Sequence, residues 1–580
     1  MWTSEGKKIN RDQPLSEYPT PQFCRDSYIS LNGPWEFALD EDPSNHDSFT
    51  DEIVVPFAVE TLLSGVTKRV SAKQVMHYRK RFTLPFGFKK DRVLLHFEAV
   101  DQVCDVYLNG VKIAHHEGGY LPFAADCMEL KQGENEILVD VWDDTDSVVF
   151  PRGKQCSRSR GIWYTSTSGI WGSVWLESVP NEVIQNLVIT PLFDEKKVRI
   201  QVPFEGKLLR SSVVVSFGGK DIVTDSLDEN FSCVLDLSSA FHPWSPETPA
   251  LYDIRVSVNF DQVSGYFAMR KFSSVEFNGH RVFALNNKPY FLSGVLDQGY
   301  YPDGGLTPPS DVTMKNDIRL LKDMGFNTIR KHIKITNMRW YYHCDRMGMI
   351  VVQDFVNSGA PVKPHLFLLA PFVHLKIDDT KQYDLLGSGS EEGREFFEEE
   401  MERVVAHLYS VPCIAVWTLF NEGWGQFDSV RLTERLRSLD PTRLIDSCSG
   451  WFDHGAGDFA SRHQYFRKLR VDEDPTRIRA ITEFGAYSHI CEGHTDTKKR
   501  TFYKYYRDKG RLKKALEALY QKQVAPLLKE GLSMAILTQF ADVEQETNGL
   551  VTADRRIVKI ERRDIAALNK LLRFEETPHD

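Results

Sequence analysis

From about residue 277 the chain alternates short apolar runs with amphipathic helical stretches, and this alternation restricts the fold more than any other feature. The predicted strands cover 291–296, 326–332, 349–354, 413–420, 442–450, 458–464, 477–485 and 532–542. Helical periodicity predicts helices over 311–325, closed by Gly325, and over 336–347, 390–410 and 513–531. Eight such units in about 300 residues match the size of a parallel β/α barrel. A doubly wound open sheet is the competing arrangement, but no GxGxxG follows the first strand. In a closed barrel the C-terminal ends of the strands converge on one pocket, so the residues that end each strand become the first candidates for chemistry.

Upstream the pattern is that of β-structure. Residues 1–180 carry alternating runs such as 92–100 and 136–144, and a predicted hairpin turns on Asn109-Gly110. A jelly-roll β-sandwich is the expected form. Residues 181–276, with runs at 213–219 and 252–260, suit an immunoglobulin-like sandwich. The expected fold class is therefore multidomain β plus α/β, with the barrel over 277–580. One loop of the first domain gathers Arg152, Lys154, Gln155, Arg158 and Arg160 beside Trp163, Tyr164, Trp171 and Trp175. Its simpler reading is an exposed basic loop; the alternative is a loop that reaches a ligand site on another domain.

Composition excludes several classes of function. With 71 Lys and Arg against 81 Asp and Glu, the net charge is -10, which offers no footprint for nucleic acid or an anionic membrane. The nine cysteines are scattered without a CxxC, as expected of reduced thiols in a cytoplasmic protein. The opening residues lack the apolar core of a signal peptide. The longest apolar stretch, Leu366 to Leu375, is too short to span a bilayer.

Two predicted strands end in glutamate. The run Cys413 to Phe420 leads into Asn421 and Glu422, and the run 477–485 contains Glu483. A lone buried carboxylate is costly unless it is partnered, so stability alone gives little reason for either. Two carboxylates at one barrel mouth suffice for glycoside hydrolysis: one is protonated and assists the leaving oxygen, the other is ionised and attacks the anomeric carbon. The competing reading pairs each Glu with a barrel Arg or Lys, or leaves it in a solvated turn.

The motifs SLNGPWEF (30–37), HYRKRF (77–82), VYLNG (106–110), SGIWGSVWLE (168–177), NEGWG (421–425) and TEFGA (482–486) occur in this order. Over about residues 27–565 the chain thereby resembles glycoside hydrolase family 2, the β-galactosidase and β-glucuronidase group. The resemblance implies a jelly roll, an immunoglobulin-like domain and a TIM barrel, with retaining double displacement at a β-glycosidic bond. It implies Glu422 as acid/base, Glu483 as nucleophile and Asn421 on the sugar 2-hydroxyl. It further implies His332 as a sugar contact and Tyr465 as a hydrogen-bond donor to the nucleophile. A homo-oligomer is compatible with it.

The chain also departs from the family pattern. Leu296, Asp297 and Gln298 replace the usual Asn, basic residue and His after the first strand, which leaves Asp297 and Gln298 as candidate hydroxyl ligands. Asp354-Phe355-Val356-Asn357 lacks the acid-x-His arrangement of the metal-dependent members, so no metal or other cofactor is expected. Glu546 and Asn548 stand where glucuronidases carry Asn-x-Lys, and a Glu there would repel a uronate unless Arg152, Lys154 or Lys331 supplies the cation. At the end of the eighth strand, Phe540 is a candidate apolar wall, and Asp542 and Glu544 are candidate hydroxyl ligands. The expected function is a retaining exo-β-glycosidase acting on a small glycoside or oligosaccharide, most like a β-galactosidase. A β-uronidase (galacturonidase or glucuronidase) and a non-catalytic carbohydrate-binding protein are the alternatives.

Overall fold

A computed structural model describes residues 1–46, 48–362, 377–497, 500 and 503–574. The apolar stretch 366–375 lies outside these residues. Among the described residues no helix is long and apolar enough to cross a membrane, and all nine cysteines are free thiols.

The first domain is a sandwich of a four-stranded and a six-stranded antiparallel sheet. Period-two burial in Arg92–Phe97 and Val103–Leu108 turns Val93, Leu95, Phe97, Cys104, Val106 and Leu108 inward against Trp35, Phe37 and Tyr78. The hairpin joining Val103–Leu108 to Val111–Glu117 turns on Asn109 and Gly110, both at positive φ, as a two-residue turn that matches strand twist requires. The second sandwich packs a three-stranded sheet on a four-stranded one around Val198, Ile200, Val215, Ile254 and Val256.

The barrel follows, with strands Leu292–Asp297, Thr328–Lys331, Ile350–Asp354, Ile414–Asn421, Leu444–Ser449, Phe459–Gln464, Ile478–Gly485 and Leu532–Thr538. All ladders are parallel, in the order fifth, fourth, third, second, first, eighth, seventh, sixth. The seam between fifth and sixth is bridged by the Asp458 amide donating to the Ile445 carbonyl at 2.7 Å and the Ile445 amide donating to the Asp458 carboxylate at 2.8 Å. Every residue of the fourth strand is buried, which explains its unbroken apolar sequence.

Two predicted elements change shape. The eighth strand stops at Thr538, short of residue 542, because the chain then folds back: the Asp542 amide donates to the Val551 carbonyl at 2.9 Å. The last predicted helix begins earlier, at Lys509, capped by the Asp508 side chain. It widens over Tyr520–Val524, ahead of Pro526, which has no N–H to continue the ordinary ladder.

Candidate active site

The fourth strand ends at Asn421, and Glu422 follows at φ +54° with its amide donating to the Ser449 carbonyl at 2.9 Å. Glu483 lies within the seventh strand. His463, in the sixth strand, stands between them: its Nδ1 is 2.7 Å from Glu422 Oε1 and 3.5 Å from Glu483 Oε1. One oxygen of each glutamate and a ring nitrogen of His463 all lie within 4.8 Å of one another.

Arg330 of the second strand organises the floor. It is wholly buried and donates to Asp354 (2.9 Å), to Glu483 Oε1 (3.2 Å) and to Asn421 Oδ1 (2.7 Å). A guanidinium only donates, so the Asn421 oxygen must face Arg330, and the amide NH2 has no partner among the described residues. His332 Nδ1 is 2.8 Å from Asp354 Oδ2, which leaves Nε2 without a partner among the described residues. Asp354 is thus engaged by Arg330 and His332. The Tyr465 hydroxyl donates to Glu483 Oε2, and the Tyr503 ring lies 5.6 Å from that of Tyr465.

Burial pushes the Glu483 carboxyl up, but His463, His332, Arg330 and the Tyr465 hydrogen bond outweigh it and bring the pKa down to about 2. Of these cations Arg330 is the permanent one, because burial drives the His332 pKa below its usual value. Glu483 is therefore ionised at neutral pH. The Glu422 side chain keeps 10% of its surface exposed, against 6% for Glu483.

The loop of the first domain does not lie in solvent as an exposed basic loop. Arg152, Lys154 and Gln155 are buried, while Arg158 and Arg160 are exposed. The Arg152 and Gly153 amides donate to the Asn357 carbonyl just beyond the third barrel strand, at 3.3 and 3.1 Å. The Tyr164 hydroxyl donates to Glu546, and the Thr165 amide donates to Glu544 at 2.7 Å. Alternating charge and aromatic residues suit a surface loop, but here backbone amides satisfied by the barrel allow burial. Among the described residues the Lys154 ammonium forms no hydrogen bond or ion pair; it lies 5.9 Å from the Trp163 ring centre and acts electrostatically on His332 and Glu546. Burial raises the Glu546 pKa to about 7, against the lowering effect of Lys154 and of the Tyr164 hydrogen bond.

The remaining candidates are committed to structure. Asp297 pairs with Lys331 at 2.5 Å and accepts from the Gly299 amide at 2.9 Å, so Lys331 is not a free cation. Gln298 donates to Gln539 at 2.9 Å, and its Oε1 has no hydrogen-bond partner among the described residues. Asp542 pairs with the buried Lys559 at 2.7 Å, and Phe540 is buried. Sequence reasoning does not find Arg330 or His463. Arg330 lies inside the predicted strand 326–332, where a charged residue within a buried strand is the available signal; for His463, set in ASRHQ, no comparable signal exists.

Comparison with known proteins agrees with this architecture. Residues 275–557 match the model described as glycosyl hydrolases family 2, TIM barrel domain; residues 62–148 match the galactose-binding domain-like model of that family, and 183–270 a further glycosyl hydrolases family 2 model. A β-galactosidase of Thermoanaerobacter pseudethanolicus is 25% identical over 432 residues, 71% of this chain and 53% of the relative. The chain thus spans about half the length of the curated relatives it matches. Among solved structures, a β-D-glucuronidase from Dictyoglomus thermophilum superposes with a TM-score of 0.75 at 17% identity, covering 95% of this chain and 98% of the other. A β-galacturonidase from Eisenbergiella tayi, bound to galacturonate, gives 0.70 at 19% identity, with 94% and 97% covered. Three domain matches in the family's order, on a barrel with paired glutamates at its mouth, mean that the chain belongs to glycoside hydrolase family 2.

Proposed function

We propose that the protein is a retaining β-glycosidase in which Glu483 attacks the anomeric carbon and Glu422 protonates the leaving oxygen, then activates the incoming water. The observation that carries this reading is the approach of the two glutamates to within 4.8 Å. Retaining sites hold their carboxyls about 5–5.5 Å apart, whereas inverting sites leave about 6.5–9.5 Å for a water. Glu483 is held ionised by His463, His332, Arg330 and the Tyr465 hydrogen bond against the effect of burial, as a nucleophile must be. Glu422 is the more exposed of the two, as a donor to a departing group must be. The Asn421 NH2, its oxygen held by Arg330, is free to donate to the sugar 2-hydroxyl, a contact that strengthens in the oxocarbenium-like transition state. Two variants test the assignment. Glu483→Gln is expected to fall below about a hundredth of the parent rate, and Glu422→Ala is expected to recover turnover of an activated aryl glycoside when azide is added. Retention of activity in the first variant sinks the reading, as does silence of the parent on a panel of 4-nitrophenyl β-glycosides.

For the glycone, Lys154 favours a β-uronide over a neutral β-galactoside. A buried ammonium with no ion pair among the described residues is costly unless a ligand supplies a counter-charge, and Lys154 acts electrostatically on His332 and Glu546. Glu546 opposes an anionic sugar only when ionised, and its pKa near 7 leaves it largely neutral in mildly acidic solution. Relatives of both kinds, the β-galactosidase and the galacturonate-bound β-galacturonidase, are compatible with the fold. Relative kcat/KM for 4-nitrophenyl galactoside, glucuronide and galacturonide decides between them: a galactoside preferred over both uronides overturns the uronide reading and leaves the reaction assignment intact.

A further inference from the structure

On the assumption that Glu422 is the proton donor, the surroundings of its outer side are those of the leaving group. The turn after Glu422 is built to fix an indole there. Gly423 and Gly425 both adopt positive φ, and a Cβ on Gly425 would lie 2.3 Å from the Ser358 carbonyl oxygen. Trp424 between them is 5% exposed and donates from Nε1 to the Ala360 carbonyl at 3.3 Å. Trp163, carried by the loop of the first domain, meets Trp424 edge-on with ring centres 4.9 Å apart. Arg152 packs against both indoles, 5.5 Å from Trp163 and 5.3 Å from Trp424. Its Nη1 donates to the Gln155 carbonyl, while its Nε, fully buried, has no hydrogen-bond partner among the described residues. Arg152 is thus used to orient the two rings by its face. Trp163, unlike Trp424, remains partly exposed.

We propose that Trp163, held by Arg152 and Trp424, is a stacking platform contributed by the first domain for the aglycone. The ligand class is a leaving group with a flat apolar face, either an aromatic ring or a pyranose. Trp424, Arg152 and the Lys154 ammonium surround the Trp163 indole yet leave it partly exposed, and that exposed surface is what such a group would stack on; stacking adds to the burial of apolar area. The cation beside the two rings costs the ligand nothing, because it is ordered before binding.

The test uses the full chain and the glycone the parent hydrolyses best, presented as the methyl, the 4-nitrophenyl and the β-linked disaccharide derivative. The readout is the ratio of kcat/KM between each flat aglycone and methyl. In Trp163→Ala this ratio is expected to fall roughly ten-fold or more, mainly through KM, and Trp163→Phe is expected to restore most of it. Loss on 4-nitrophenyl alone identifies an aromatic aglycone, and loss on the disaccharide alone identifies a pyranose. A purely structural role predicts the reverse: if Trp163 acts only by supporting the Glu422 turn, methyl turnover, which depends most on proton donation, drops furthest. That outcome, or an unchanged ratio, overturns the platform while leaving the glycosidase assignment standing. A parent inactive on every glycoside overturns both.

Discussion

At the scale of single residues, the site turns on which charges are permanent. Arg330 reaches Asp354, Glu483 and Asn421 at once, so it joins His463 and His332 in holding one glutamate ionised and fixes the orientation of the neighbouring amide. Tyr465 adds a charge-assisted hydrogen bond to the same carboxylate. Such bonds contribute about 1.5–3 kcal/mol, so Tyr465→Phe is expected to lower kcat by about 10- to 100-fold with little change in folding, checked by steady-state kinetics beside thermal denaturation. Glu546 makes a separate prediction through its pKa of about 7. Below that pH it is neutral and the Lys154 charge is open to a carboxylate ligand. As pH rises through 7 it ionises, neutralises Lys154 and repels a uronate. The ratio of uronide to galactoside kcat/KM is therefore expected to decline above pH 7 in the parent and to stay level in Glu546→Gln. Using the ratio cancels the titration of the groups that both substrates share; a level ratio in the parent would remove Glu546 from glycone selection.

At the scale of elements, the barrel is legible in the sequence because strands buried on both faces must be apolar throughout and their helices must be amphipathic. The fourth strand is the clearest case, and its polar end, Asn421 and Glu422, is legible for the same reason: polarity appears where the strand leaves the core. The seventh strand exposes Glu483 to the same logic. What is not legible is any contact between elements distant in sequence. Lys154 and Tyr164 meet His332 and Glu546 only through docking of one domain on another, and periodicity carries no record of docking. Asp297 reads as a hydroxyl ligand until Lys331 is seen to neutralise it. The NEGWG turn lies between these cases, since its glycines mark a bend without revealing what occupies it. Gly425→Ala would place a methyl 2.3 Å from a backbone oxygen at φ +69°. Left-handed backbone alone costs a non-glycine residue about 1–2 kcal/mol. The variant is expected to lose at least about ten-fold in kcat through displacement of Glu422 and Trp424, with a lower melting temperature. Parent-like kinetics would show that the turn tolerates a Cβ.

At the scale of the whole molecule, the three domains are joined by buried charge as well as by apolar contact. Arg25, from the segment that precedes the first strand, donates to Glu177 of the first sandwich at 3.0 Å and to Asp261 of the second at 2.9 Å, and all three side chains are almost fully buried. Trp244 and Tyr266 of the second sandwich donate to the Asp345 carbonyl (2.8 Å) and carboxylate (2.6 Å) in the barrel. On the roles proposed for Lys154 and Trp163, the first sandwich must keep its station against the barrel, so interdomain stability is expected to be a condition of activity. Removing one member of a buried ion network leaves the others uncompensated, at a cost of about 3–5 kcal/mol. Arg25→Met is accordingly expected to lower the denaturation midpoint and to open the first domain to limited proteolysis. The pH dependence follows from Glu177. Burial pushes its pKa up, but His96, Arg25 and the Tyr18 hydrogen bond outweigh this and hold it below the ordinary carboxylate value. His96 is itself held below its usual pKa by burial, so Arg25 is the standing cation. A depressed carboxylate stabilises the fold above its unfolded pKa, and that contribution is lost as pH falls through the folded value. Without Arg25 the depression shrinks, so the variant is expected to unfold at higher pH than the parent during acid titration followed by tryptophan fluorescence. If acid unfolding of the two proteins coincides while the neutral-pH midpoint drops, Arg25 acts through packing, and the junction owes its stability to apolar contact instead.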